Sequence, residues 1–249
     1  MFPISVSGVW AQYFERFDAD AIVSRYFVGW ATRGDSKYYE QIQHLRRCGL
    51  EDAVIGDRIK ADWTANGALA SARGTRMHRQ IEFALGGELY DATGADMNLF
   101  HSCVQRIFEP RGWKVFRVEW SIYCDDAMVA GQIDAIFIAP DGYHMVDWKR
   151  CRELLDPTAK LSFCRYGRPP CAELLDNACN HYFIQQNMYG VILERHYNIS
   201  LASMSLAQFH PDLSEFNFVE VPDYRSFAAS ILDDFAQRRE RNMPWEARC

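Results

Sequence analysis

Three consecutive strand-like runs, joined by very short turns, constrain the fold of this chain more than any other feature. They are KVFRVEWSIYC, MVAGQIDAIFIA and YHMVDWKR, and they follow one another between residues 114 and 150. Asp125-Asp126 separates the first two runs and Pro140-Asp141-Gly142 separates the last two, and both sequences are typical of turns. Because connections this short join neighbouring antiparallel strands, the sequence predicts an antiparallel meander.

Helical patterns lie on both sides of the meander. Apolar and aromatic residues recur at helical spacing through residues 9–65, with a break at TRGDS, and SARGTRMHRQIEFALGG predicts a helix that ends at Gly86-Gly87. A further helix is expected over about 96–109. After the meander, HYFIQQNMYGVILERHY and RSFAASILDDFAQRRER predict helices, and SLASMSLAQFHP and FNFVEVP between them predict strands. This order predicts a mixed α/β core over residues 71–249, preceded by a helical extension over residues 1–70.

Composition excludes few functions. The chain has 249 residues, 49% of them hydrophobic, and a net charge of −6, which does not rule out a local basic groove. Its 27 basic residues comprise 22 Arg and five Lys, and Arg pairs bidentately with phosphate. The eight cysteines form no CxxC pair, and the N-terminus lacks the pattern of a signal peptide. With no long uncharged apolar stretch, we expect a soluble intracellular protein without a membrane span.

Asp147 and Lys149 are the first candidate functional pair. Alternate residues of a strand share one face, so Met145, Asp147 and Lys149 point to one side and Val146, Trp148 and Arg150 to the other. An acid and a lysine within an apolar run need partners, because isolated buried charge is costly. A divalent metal ion would supply one, although a simple ion pair at a strand end remains an alternative.

Further acidic and imidazole groups lie nearby in the predicted topology. Asp134 interrupts the apolar run AGQIDAIFIA one hairpin earlier, and Gly131 before it allows a close approach to the backbone. His78 and Glu82 share one face of the predicted helix, because they lie four residues apart. Glu119, in FRVEWSIY, is compatible either with a solvated strand face or with a direct role.

The order of these motifs resembles that of the PD-(D/E)xK nuclease superfamily, in its RecB-like branch. The motifs are GTRMHRQIE, VEW, GQID, DWK and QQNMY, and they span about half of the chain. The branch combines a helical histidine, an aspartate, an acid-x-Lys pair and a Q-x-x-x-Y helix, and the last of these matches Gln185 and Tyr189. Ile133 stands where the family's nominal motif has proline. The resemblance implies a restriction-endonuclease-like core, in which helices flank a central mixed sheet, and an exonuclease-type role in DNA repair or recombination.

The resemblance also implies roles for individual residues. Asp134 and Asp147, together with His78 and the Trp148 carbonyl, would bind Mg²⁺ or Mn²⁺, since oxygen ligands suit Mg²⁺ and an imidazole favours Mn²⁺. Lys149 would position or deprotonate the attacking water, and Glu82 would bind a second ion or orient water. Gln185 and Tyr189 would steer DNA or brace the site.

Two cofactor and partner expectations accompany these roles. Some RecB-like nucleases hold an iron–sulfur cluster with cysteines that follow the Q-x-x-x-Y helix. Here only Cys249 follows it, so we expect no cluster. Because the sequence contains no helicase P-loop, any unwinding would come from a helicase or from a replication or repair partner. Single-stranded DNA or DNA ends are the expected substrates.

The segment 150–168 is the expected path of the DNA. It contains the basic residues Arg150, Arg152, Lys160, Arg165 and Arg168 against Glu153 and Asp156, a local net charge of +3. Phe163 and Tyr166 lie among the last of them, and interleaved aromatic and basic residues suit unpaired nucleic acid. A solvated loop with two core aromatics is the alternative.

Two other functions are compatible with the sequence. An RNA endonuclease of the cap-snatching type also combines histidine, acids and lysine, but the Q-x-x-x-Y helix favours DNA processing. A nuclease-derived nucleic-acid-binding module is the second, but such modules usually lose an acid or the lysine, and this chain keeps all of them.

Overall fold

A computed structural model describes residues 3–158 and 165–242 of the chain. Its helices and strands form a mixed α/β arrangement, in which a run of helices precedes the three strands of the meander. The strands are β1 (Ile4–Ser5), β2 (Lys114–Cys124), β3 (Val129–Ala139), β4 (Gly142–Lys149), β5 (Leu201–Gln208) and β6 (Asn217–Glu220). The helices are α1 (Val6–Trp10), α2 (Ala19–Thr32), α3 (Tyr39–Arg47), α4 (Asp52–Gly86), α5 (Ala95–Cys103), α6 (Ala178–Tyr197) and α7 (Arg225–Asn242). Within the described ranges, no helix is both long and apolar enough to cross a membrane.

The predicted meander is present and forms the centre of the sheet. β2 pairs with β3 and β3 with β4, both antiparallel. β5 then adds to the other edge of β4 in parallel, and β6 pairs antiparallel with β5. A parallel neighbour requires a crossover connection, and α6 provides it between β4 and β5. The short strand β1, which no sequence pattern predicts, lies parallel to β3.

Helices cover both faces of this sheet. On one face α1, α6 and α7 pack on a core that includes Ile133, Met145 and Leu206. On the other face the end of α4 and all of α5 pack on an aromatic core around Phe137 and Trp148. The expected α/β fold, a central mixed sheet flanked by helices, is therefore confirmed.

The described residues divide into two compact units. One compact unit comprises residues 16–73, and the rest of the described chain, including residues 3–15, forms the other. Residues 3–15 belong with the sheet because β1 hydrogen-bonds to β3 and α1 packs in its core. The position of the expected boundary lies inside α4, whose Ala-rich stretch around residues 65–72 keeps helical geometry.

The unit formed by residues 16–73 is entirely helical. α2, α3 and the first half of α4 enclose a small core of Phe27, Ala31, Ile42, Ile55 and Ile59. Asp18 caps α2 by accepting a hydrogen bond from the Ala21 amide at 2.9 Å. Trp30, Tyr38 and Trp63 pack against the outside of this core and stay partly exposed.

Candidate metal centre and its polar surroundings

His78 reaches the sheet from α4. Met77 and Ile81 on the same helix are buried in the aromatic core, and this fixes the direction in which the imidazole points. Its Nε2 lies 2.9 Å from the Trp148 carbonyl oxygen. Because a carbonyl only accepts, Nε2 carries a hydrogen and donates it, and the other ring nitrogen, Nδ1, faces the carboxylates.

Two carboxylates lie on that side of the imidazole. Asp134 Oδ1 is 3.4 Å and Glu119 Oε1 is 3.9 Å from His78 Nδ1. Burial lowers the pKa of His78, but the hydrogen bond with Asp134 and the charges of Asp134 and Asp147 outweigh it and raise the pKa. The other Asp134 oxygen accepts a hydrogen bond from the Trp148 amide at 2.7 Å. The peptide groups of Trp148 thus hold both Asp134 and His78 in place.

Glu119 occupies an unusual backbone conformation for a strand residue. Its φ is +47°, a left-handed value that costs a residue other than glycine about 1–2 kcal/mol. A register irregularity between Val115 and Arg117 precedes it in β2. Residues held in such conformations concentrate at functional sites. Here the neighbours of Glu119 in β2 pair with the β3 residues on either side of Asp134, so the two carboxylates lie on adjacent strands at the same level.

The environment of Glu119 favours a cation. Burial, with the charge of Asp134 next in importance, raises the pKa of Glu119 to about 7. Glu119 Oε1 is buried and has no hydrogen-bond partner among the residues that the structure describes. A buried carboxylate beside a second carboxylate needs a counter-charge, and a divalent ion meets that need.

His78, Glu119 and Asp134 together have the donor set of a divalent metal site. One ligand atom from each residue lies within 4.8 Å of the others. Two carboxylates and an imidazole suit Mn²⁺ and Mg²⁺, with the imidazole favouring Mn²⁺. The unpartnered Glu119 oxygen and this donor chemistry fit the metal that the sequence predicts.

Asp147 and Lys149 form a buried ion pair next to this cluster. Lys149 Nζ lies 2.5 Å from Asp147 Oδ2, and Asp147 is 3% exposed. Burial alone would lower the pKa of Lys149, but the charges of Asp147 and Asp134 outweigh it and raise the pKa, which favours the ammonium form. The Lys149 ammonium also lies 4.2 Å from the centre of the Tyr182 ring, a cation–π distance.

Gln186 on α6 completes the surroundings of Asp147. Its Nε2 donates to Asp147 Oδ1 at 2.7 Å, and the side chain is fully buried. No sequence pattern distinguishes Gln186 from its neighbour Gln185. Two consecutive helix residues point about 100° apart, and only the packing of α6 decides which of them faces the sheet.

Gln185 and Tyr189 bond to each other instead. Gln185 Nε2 donates to the Tyr189 hydroxyl at 2.9 Å, and burial raises the pKa of Tyr189 to about 12. The Tyr189 ring lies directly on β3 at Gly131, where a Cβ atom would come within 2.3 Å of the ring. Gly131 therefore permits the close approach that the sequence predicts.

Glu82 lies outside the three-residue cluster. Its charge nonetheless contributes, after burial and Asp134, to raising the pKa of Glu119, so it lies in the same electrostatic environment.

The Trp148 carbonyl, which the sequence analysis expected to bind a metal, accepts a hydrogen bond from His78 instead. The sequence left two alternatives for Glu119, and in the structure Glu119 belongs to the cluster. Asp147 lies outside the cluster.

The basic segment after β4 is described only in part. Lys160 and Phe163 lie outside the described residues. Arg150 Nε contacts Asp96 at 2.7 Å and is mostly buried, as expected for a residue on the face opposite Asp147. Acidic groups also accompany two other arginines and offset much of the local positive charge. Arg152 pairs with Asp212 at 3.4 Å, and Arg165 pairs with Glu15 at 2.8 Å, while the Arg168 amide donates to the Tyr13 carbonyl oxygen.

No protein-family model matches the chain, and no curated protein matches it. Among solved structures, the chain is similar to a candidate exonuclease from Eubacterium rectale, with a TM-score of 0.42 and 11% identity over 68% of this chain and 65% of that one. It is also similar to the protein SSO0001, with a TM-score of 0.29 and 14% identity over 56% of this chain and 55% of that one. The chain thus covers less than two thirds of either structure, and likeness at this level assigns neither a family nor an activity.

Proposed function

We propose that this protein is a metal-dependent nuclease that hydrolyses phosphodiester bonds in DNA. One observation carries the proposal: a half-buried imidazole–carboxylate cluster, formed by His78, Glu119 and Asp134, lies next to a buried Asp147–Lys149 pair. The charge of Asp134 acts on Lys149 and the charge of Asp147 acts on His78, so the two groups belong to one electrostatic unit. Phosphodiester hydrolysis requires both a metal-binding set and a cation for the developing negative charge.

The carboxylates and His78 would hold Mg²⁺ or Mn²⁺. When bound, such an ion acts as a Lewis acid and makes a water molecule more acidic. The protein's own contribution is to fix the donor atoms before the substrate arrives. Asp134 is held by the Trp148 amide, and the imidazole of His78 is held by the Trp148 carbonyl. Such fixed supporting contacts limit the reorganisation needed during the reaction.

Lys149 would act as a cation. The charges of Asp147 and Asp134 raise its pKa and favour the ammonium form. An ammonium at this position would orient the attacking water and stabilise the negative charge that develops on the phosphoryl oxygens. Asp147, held by Gln186, would keep the ammonium in place. Glu82 would help to orient water at the edge of the cluster.

The order of motifs along the chain supports DNA, and single strands or DNA ends in particular, as the substrate. The same resemblance to RecB-like nucleases would put Gln185 and Tyr189 beside the substrate path, and their mutual hydrogen bond suggests a bracing role. Arg152, Arg165 and Arg168 would contact phosphates. Arg152 and Arg165 would first exchange their exposed acidic partners, since exposed ion pairs contribute little energy.

Cleavage of end-labelled substrates tests the proposal. Single-stranded, duplex and circular DNA, with RNA alongside, are incubated with the protein in Mg²⁺, in Mn²⁺ and in EDTA. We expect cleavage of linear DNA in either metal and none in EDTA. An Asp134→Asn variant, purified in the same way, controls for a contaminating nuclease. Cleavage of RNA alone would contradict the DNA assignment, and full cleavage in EDTA would contradict the metal requirement.

A further inference from the structure

The helical unit of residues 16–73 contains an aromatic concavity, here called the aromatic pocket. It has a volume of about 600 Å³, within the range of ordinary ligand sites. Five aromatic rings line it, from Phe17, Tyr26, Trp30, Tyr38 and Trp63. None of these residues belongs to the candidate metal centre, and no catalytic motif of the sequence falls within this unit.

Two tryptophan rings of the aromatic pocket form a corner. Trp30 and Trp63 meet at 82° with their centroids 6.0 Å apart, so their planes make two walls. Phe17 meets Trp63 edge-on at 5.7 Å, and its side chain is 71% exposed. Trp63 Nε1 donates to the Tyr38 hydroxyl at 2.8 Å, which fixes the orientation of the indole. The exposed Phe17 ring beside this corner offers a face on which a flat ligand can stack.

The charged groups that line the aromatic pocket are both cations, Arg33 and Lys37. Lys37 Nζ lies 4.8 Å from the centre of the Tyr38 ring. Arg33 pairs with Asp35 at 3.1 Å, but both side chains are at least 70% exposed, and such ion pairs exchange readily. Flat aromatic walls with cations at the rim complement a ligand that combines planar rings with negative charge.

We propose that the aromatic pocket binds unpaired nucleotides of single-stranded nucleic acid, with a base against the rings and phosphates near Arg33 and Lys37. Bases inside a duplex are already stacked on one another and cannot lie on the protein rings, so the pocket selects single strands. The choice of a nucleic acid, rather than another planar anion, rests on the proposed nuclease function. The combination of stacking and charge is the usual basis of single-strand binding.

Equilibrium binding of a fluorescein-labelled oligo(dT) tests the inference, measured by anisotropy in EDTA so that no cleavage occurs. Phe17→Ala removes an exposed ring without disturbing the core. It should weaken binding at least about fivefold, and should leave the weaker binding of an abasic strand unchanged. Leu69→Ala, an exposed apolar residue of the same unit that lies outside the pocket, is the matched control. Trp30→Ala, with its fold checked by circular dichroism, should weaken oligo(dT) binding further.

The charge contribution is measured separately through salt dependence. Arg33→Ala with Lys37→Ala should reduce the log–log salt slope by about 0.7 for each phosphate that is no longer bound. Arg47→Ala with Arg58→Ala makes the same change of charge in the same unit but outside the pocket, and should leave the slope unchanged. Wild-type binding by the pocket variants, or no binding of oligo(dT) by the wild-type chain, would overturn the inference.

The result of these binding experiments can be distinguished from the result of the test of nuclease activity. A chain that cleaves DNA while its pocket variants bind oligo(dT) like the wild type would refute the aromatic pocket alone. A chain whose Phe17→Ala variant binds oligo(dT) more weakly, but which never cleaves DNA, would refute the nuclease proposal and retain the pocket.

Discussion

Replacing Gly131 by alanine should destabilise the sheet-containing unit through one identifiable clash. The new Cβ atom would lie 2.3 Å from Tyr189 Cε1, whereas ordinary contacts begin at 3.4 Å. The ring must therefore move by more than an ångström, yet Tyr189 is buried and its hydroxyl is held by Gln185. Overpacking together with loss of that hydrogen bond should lower the free energy of unfolding by about 2–4 kcal/mol. In a chain of this length that corresponds to a fall in Tm of roughly 4–15 °C.

Thermal unfolding followed by far-ultraviolet circular dichroism measures this effect. Gly190→Ala is the matched control, because its Cβ would meet Met204 Sδ at 3.5 Å, an ordinary contact, inside α6. Alanine is also favoured over glycine in a helix, so the Tm of this control should stay the same or rise. A Gly131→Ala variant as stable as the wild type would show that Tyr189 does not lie against β3.

Three further outcomes are expected. Lys149→Met leaves the buried Asp147 without its cation. The rate of single-turnover cleavage should fall at least about 100-fold, and urea unfolding should show that the free energy of unfolding falls by about 3–5 kcal/mol. Gln186→Leu frees the Asp147 carboxylate from its second contact, so steady-state assays should show a lower kcat with an unchanged KM; a loss of stability alone would contradict a positioning role. The purified protein should be colourless and contain no stoichiometric iron by elemental analysis, and a visible Fe–S absorbance band would contradict this.

The meander and the faces of β4 followed from the sequence because strand alternation is strict. Met145 packs on the α6 side of the sheet while Val146 and Trp148 pack on the other, as the period of two requires. The turn residues between the strands determined their antiparallel order. The parallel addition of β5 depends on a crossover through α6, and local patterns carry little information about it.

The parts that could not be predicted depend on geometry that has no sequence signal. Glu119 joins the cluster through a left-handed backbone and a nearby irregularity of β2, neither of which a strand pattern reveals. Whether Gln186 or Gln185 contacts Asp147 depends on how α6 packs on the sheet. β1 has only two residues, too few to show a period.

The sequence pattern also did not show that α4 is one continuous helix, for a different reason. Its central stretch lacks the apolar residues that produce a helical period, because much of it is exposed. Alanine-rich sequence sustains a helix by intrinsic propensity, without an amphipathic pattern. The expected boundary, placed at Ser71 where the apolar pattern sharpens, therefore lies inside α4.

The most direct test of the metal centre is the Mn²⁺ dependence of DNA cleavage by a Glu119→Gln variant. The substitution keeps the shape of the side chain and removes the charge of one proposed ligand. Glu88→Gln, an exposed acid beyond the end of α4, makes the same change away from the cluster and serves as the control. We predict that Glu119→Gln needs at least about tenfold more Mn²⁺ for half-maximal cleavage, while Glu88→Gln matches the wild type. Identical Mn²⁺ dependence for Glu119→Gln and the wild type would contradict a metal centre formed by His78, Glu119 and Asp134.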